Sequence, residues 1–227
     1  MRRPLLLLFS LVLVLDTQAQ FGQKGRYTLS GGLRLGVPLG EFDAAYGRTI
    51  GGFGLNLALP LKHLPFAAGL QFDRSYLGSR QGVVALDEQY VTVTSGDLHV
   101  RSRMNGYHAL VRLAPLKGKV SPYLDGLAGF RSFTTNSELK IDGVNGPLRE
   151  ENVLRGTAFS YGWAAGVMVG ITPLLYAEGR FERFQGGRAR YVEPTSVTID
   201  SEGQVAYTTR ESETDLIFIH LGIGLRF

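Results

Sequence analysis

Glu178, Arg180 and Glu182 stand at alternate positions, so a strand from Leu175 to Phe184 would hold two carboxylates and a guanidinium on one face. Groups spaced like this can pair with one another and bury their charge, or a carboxylate can serve a nucleophile in acid–base catalysis. Even spacing recurs in Gln71 with Asp73, His108 with Arg112, and His220 with Arg226; Arg34, Asn56, Asp125 and Arg131 take equivalent positions in their own segments. Acids and bases are both plentiful in this set. Mutual pairing in a polar interior is the expected use.

Catalysis would need a nucleophile, a base and an orienting carboxylate within reach of one another. The chain has four histidines, His63, His99, His108 and His220. His63 falls in a short turn, and His108 and His220 read as interior strand positions. Only His99 has suitable neighbours in sequence: Ser95, Asp97, Arg101 and Ser102. There is no cysteine, and no histidine pair has ligand spacing for a transition metal. No catalytic, cofactor or metal residue is therefore assigned, and no enzyme activity is expected.

The elements that must position these groups are strands. In the last thirteen residues Ile217, Ile219, Leu221, Ile223, Leu225 and Phe227 share one face, and His220, Gly222, Gly224 and Arg226 the other. A period of two with one wholly apolar face belongs to a strand between two different solvents. Seven earlier segments alternate in the same way, at about 27–37, 49–59, 66–76, 103–114, 123–133, 157–172 and 175–184. The clearest is 157–172, where Phe159, Tyr161, Trp163, Ala165, Val167, Val169 and Ile171 oppose Ser160, Gly162, Ala164, Gly166 and Gly170.

The connections alternate in length. Short, proline-marked links are expected at 60–65, 115–122 and 172–174, and long polar ones at 38–48, 77–102, 134–156 and 185–214. Val83–Val93 and Val197–Tyr207 are rich enough in β-branched and aromatic residues to continue as hairpins. The fold class this implies is all-β: an eight-stranded antiparallel up-and-down transmembrane β-barrel. A soluble lipocalin-like barrel is the alternative, but it would have to turn the glycine-rich, charged face outward.

Met1-Arg2-Arg3, the apolar run Leu5–Leu15 and the small residues before Gln20 have the form of a secretory signal. Residues 1–19 are expected to be the signal peptide and 20–227 the barrel domain. Removing Arg2, Arg3 and Asp16 lowers the net charge from +4 to +3. That mild excess, without a basic run or an aromatic-interleaved basic patch, excludes a nucleic-acid partner. Mean hydropathy is only +0.02, as expected when alternate residues alone face lipid.

The leader through Ala19, the segment Pro122-Tyr-Leu-Asp-Gly-Leu-Ala-Gly-Phe130 and the terminal strand together resemble the small outer-membrane β-barrel proteins of the OmpX, OmpA-barrel and opacity-protein type, including the Bacteroidetes-style domain. The resemblance implies an integral outer-membrane location with both termini periplasmic. It also implies that Leu221, Ile223, Leu225 and Phe227 form the signal read by the barrel-assembly machinery. Eight strands enclose a bore that side chains can fill, so Arg34, Gln71, Asp73, His108, Arg112, Asp125, Arg131, Glu178, Arg180 and Glu182 are expected as a polar network in the lumen, not as a solute channel.

The partners to expect are outer-membrane lipid and lipopolysaccharide, and an extracellular protein through the loops; the barrel itself should be monomeric. Arg188, Arg190 and Arg210 are expected to contact lipopolysaccharide phosphates, and Glu211, Glu213 and Asp215 form an acidic patch nearby. Tyr90, Tyr191 and Tyr207 are expected as loop contact aromatics. An outer-leaflet lipid-modifying enzyme and a barrel subunit of an export or motility machine are the alternative functions.

Overall fold

The computed structural model describes residues 27–61, 64–85, 95–116, 118–140, 149–192, 196, 198–199 and 205–227. Eight strands close into a barrel: β1 (Thr28–Pro38), β2 (Ile50–Pro60), β3 (Phe66–Ala85), β4 (Ser95–Leu113), β5 (Val120–Lys140), β6 (Arg149–Gly170), β7 (Leu175–Gly186) and β12 (Leu216–Arg226). Each pairs antiparallel with its neighbours, and β1 joins β12 from Thr28↔Arg226 to Pro38↔Leu216. Closure extends one residue further. Tyr27 and Phe227 exchange backbone hydrogen bonds of 2.9 and 3.1 Å, and their rings stack at 6.0 Å. The terminal aromatic is thus tied to the first strand by main chain and ring together.

The barrel is inside-out relative to a soluble protein. Leu33, Leu70 and Leu221 are 74%, 64% and 65% exposed, whereas Arg34, Asp125 and Glu182 are at most 1% exposed. Leaving one large apolar side chain in water costs about 1.5–3 kcal/mol. A continuous belt of them is stable only against hydrocarbon. Outward apolar residues run from Leu29 to Val37 in β1 and from Phe159 in β6 to Ile171 just after it. At about 3.3 Å per residue these runs are roughly 26 and 40 Å long, or about 20–30 Å of height after tilting, which spans a bilayer core.

The faces of all eight segments match their expected alternation, but four strands are longer. β3 to β6 have 20, 19, 21 and 22 residues against 11 or 12 in the other barrel strands. The expected long links 77–102 and 134–156 are in large part strand, standing beyond the belt as a sheet. Bulges at Tyr76/Gly78 and at Thr135/Asn136 fall where the sheet leaves the barrel, and Gly78 has φ 145°. The short link before β5 also ends earlier than expected, because Val120 already pairs with Val169 and Pro122 lies within the strand.

The other two connections hold structure of their own. Between β1 and β2 a helix, α1 (Gly40–Tyr46), replaces the expected loop. It ends at Gly47, whose left-handed backbone (φ 54°) turns its N–H onto the Asp43 carbonyl at 2.7 Å. Between β7 and β12, β8 (Arg188–Val192) pairs with β11 (Thr209–Glu213), and β9 (Thr198–Ile199) pairs with β10 (Val205–Ala206).

Candidate functional site

The lumen is built in three layers. At the long-loop end α1 drops Phe42 and Tyr46 into the bore. Phe42 meets Tyr191 of β8 at 5.1 Å and Phe133 of β5 at 6.1 Å. Ile50, Leu77, Met104, Phe184, Leu216 and Phe218 complete an apolar cap. The Tyr46 hydroxyl donates to the Leu77 carbonyl oxygen, and burial pushes its pKa up to about 12. Aromatic residues at i and i+4 within 40–46 were the sequence signal for this helix.

Beneath the cap lies the charged layer, where the ten expected lumen residues all point inward. Arg34 pairs with Glu182 and, at 2.8 Å, with Asp73. Arg180 reaches Glu182 and Gln71 at 2.8 Å and Asp125 at 2.6 Å. Arg112 grips Asp125 with two bonds of 2.8 and 2.9 Å and lies 3.8 Å from Glu178. Arg131 stacks on Phe184 at 4.1 Å and donates to the Thr214 carbonyl oxygen at 3.4 Å. Four buried arginines therefore meet four buried carboxylates, Asp73, Asp125, Glu178 and Glu182. Such a layer is neutral overall, and each charge in it is ion-paired, hydrogen-bonded or stacked.

Glycines make room for this packing. Tyr123 stands opposite Gly166, with its ring where a Cβ of residue 166 would go. From there its hydroxyl donates to Glu178 and its face carries the Arg112 guanidinium at 3.9 Å. Gly166→Val should therefore cost about 1–3 kcal/mol by overpacking. Gly126→Val should cost far less, since nothing lies within 4 Å of that outward position. Urea unfolding in vesicles distinguishes the two. At the short-turn end the bore opens into a cavity of about 470 Å³ lined by Ala58, Phe66, Arg112, Lys119, Met168 and Arg226.

The structure disperses the other chemistry. His99 and Arg101 face outward, while Ser102 faces inward and bonds Thr135 at 2.9 Å. His63 and Tyr90 lie outside the described residues. His108 bonds Ser160 at 2.7 Å and approaches Asp73 at 3.8 Å, giving serine–histidine–aspartate connectivity. The last distance is too long for a hydrogen bond, Asp73 is engaged by Arg34, and Ser160 is sealed below the cap. It packs; it does not present a nucleophile. Among the described residues, no cluster could hold a metal ion.

One loop expectation needs correction, and the loop charges are found as cross-strand neighbours. Tyr191 is 3% exposed within the cap, where it cannot contact a partner. The acidic patch and the arginines are cross-strand partners, with Arg190↔Glu211 and Arg188↔Glu213 in register and both arginines 3.8 Å from Glu211. Asp215 accepts the Gly186 N–H at 3.0 Å. Arg210 lies opposite Tyr191, on the other face of the hairpin from Arg188 and Arg190. The three arginines therefore form no single phosphate-facing group.

A closed eight-stranded barrel with an apolar exterior and a paired, charged interior decides the architecture. The fold is that of a small outer-membrane β-barrel.

No family model matches the chain, and no curated protein matches it. Among solved structures it is similar to Ail, the attachment invasion locus protein of Yersinia pestis, at 14% identity and a TM-score of 0.48, over 90% of this chain and 100% of that one. The outer membrane protein OprG from Pseudomonas aeruginosa aligns at 12% identity and 0.46, over 90% and 97%. A major outer membrane protein from Thermus thermophilus aligns at 12% and 0.47, over 88% and 99%. At these values the likenesses carry no argument about function, which rests on the barrel's own geometry.

Proposed function

We propose that this chain is an integral outer-membrane barrel without enzymatic activity, which passes no solutes and acts through its extracellular surface. The observation that carries this reading is a lumen closed twice, by the apolar cap and by the charge-balanced layer beneath it, inside an apolar exterior. In this reading residues 1–19 are removed on export, both termini face the periplasm, and Leu221, Ile223, Leu225 and Phe227 are read by the assembly machinery. The sheet formed by the outer halves of β3 to β6 is then what the cell presents to adhesion or interaction partners.

Unboiled protein from the outer-membrane fraction should migrate differently from boiled protein on a detergent gel, because a closed ladder resists the detergent. In vesicles it should give no swelling with small sugars. A chain that stays soluble in the periplasm and shows no shift would refute the reading.

A further inference from the structure

The outer face of β3 to β6 carries three successive rungs, each continuous across all four strands. The first is aromatic: Phe72↔Tyr107↔Phe130↔Phe159. Two residues further toward the long-loop end, Arg74, Asn105, Ser132 and Thr157 are in register. Two further again come Tyr76, Arg103, Thr134 and Arg155. The solvent around the barrel therefore changes from apolar to cationic within about 14 Å of strand.

We propose that these upper rungs bind the phosphate-bearing headgroup of an outer-leaflet glycolipid, with Arg74, Arg103 and Arg155 as its ligands. The proposal rests on the outer-membrane reading above. Arg103 and Arg155 are two strands apart, roughly 10 Å, and Arg74 is diagonal to Arg103 at roughly 7 Å. Three guanidinium groups on flexible stems can converge from there on one phosphate or span two, and each matches phosphate oxygens with paired N–H donors.

No ion pair engages these three among the described residues, whereas the neighbouring Arg101 and Lys140 share Glu138 at 4.0 and 3.9 Å. Arg74 Nε is shielded from solvent and has no hydrogen-bond partner there. The hydroxyl and amide groups of Asn105, Ser132, Thr134 and Thr157 supply donors for the sugar.

Two further features favour a lipid over a soluble polyanion. An anion held on the arginines has its neighbouring groups over the aromatic rung, and below that rung the barrel exposes leucine and valine, a path for acyl chains. The site is also one-sided: the outward positions of β1, β2 and β12 carry no lysine or arginine, and β7 carries one, Arg183, in register with Trp163 and Ile217.

The test is titration of detergent-folded protein with bis-phosphorylated lipid A. The triple variant Arg74→Gln/Arg103→Gln/Arg155→Gln should bind at least tenfold more weakly, with heat-modifiability unchanged. Arg188→Gln/Arg190→Gln should bind as the parent does. Binding of the triple variant within twofold of the parent would overturn the site, as would equal binding of dephosphorylated lipid A. A soluble polyphosphate that binds as tightly as lipid A would overturn the lipid assignment. If the parent itself shows no heat-modifiability, the barrel reading fails first and this site fails with it.

Discussion

Glu182→Leu should lower the unfolding free energy by about 3–5 kcal/mol, the cost of leaving buried charge without its partner. Glu182 is the hub of the lumen: fully buried, paired with Arg34, 2.8 Å from Arg180, and 3.4 Å from the Gln71 amide. Leucine has a similar volume, so the loss is electrostatic and not a cavity effect. Four buried arginines would then face three carboxylates. Asp73 still holds Arg34 and Asp125 still holds Arg180, so neither cation is stranded alone, but the surplus charge has no water to reach beneath the cap.

The second arm of the experiment is Arg34→Met/Glu182→Leu, which returns the layer to three against three. It should be less destabilised than the two single variants added together, by a coupling of roughly 1 kcal/mol or more. Urea unfolding in lipid vesicles reads this through Trp163, the only tryptophan, which sits on the outer face against Phe181 at 5.6 Å. Strictly additive costs would mean that the pair contributes nothing as a pair.

The legible parts of this fold are those where two solvents meet. Leu55, Leu57 and Leu59 alternate with Gly54 and Asn56 because lipid lies on one side of β2 and packed polar groups on the other, and that contrast gives each face its identity. In the outer half of β4 the contrast is inverted: Leu98, Val100 and Met104 are buried while His99, Arg101 and Arg103 face out, so the lipid pattern of an apolar outer face stops where the hydrocarbon stops although the strand continues.

Membership of the lumen was legible for the same reason, but its pairing was not. Arg180 chooses Asp125 and Glu182 through the register of β5, β6 and β7, and register depends on turns and bulges that residue types alone do not number. The arginine–glutamate match in the β8–β11 hairpin was hidden likewise. Its two strands are separated by sixteen residues, so the arginines and the carboxylates read as two separate groups and not as facing partners.

Phe42→Ala should release the cap and leave the barrel standing. Phe42 is fully buried, stacked on Tyr46 at 5.7 Å and edge-on to Tyr191 and Phe133, so its loss is worth about 3 kcal/mol or more of packing. Helix α1 has only seven residues and no side-chain bond at its N-cap, so it has little stability without that ring. The cost therefore appears as local opening. The Gly47 amide, bonded to the Asp43 carbonyl at 2.7 Å, should exchange its hydrogen on the order of 100-fold faster, while strand amides and the Trp163 urea midpoint stay where they were. Slower loss, or a midpoint that falls with it, would mean that the cap and the barrel are one cooperative unit. Opening the cap should still pass no ions, because Arg34, Glu182, Arg180 and Asp125 cross the bore below it. A small-ion current through Phe42→Ala in a planar bilayer would mean that this layer does not close the bore.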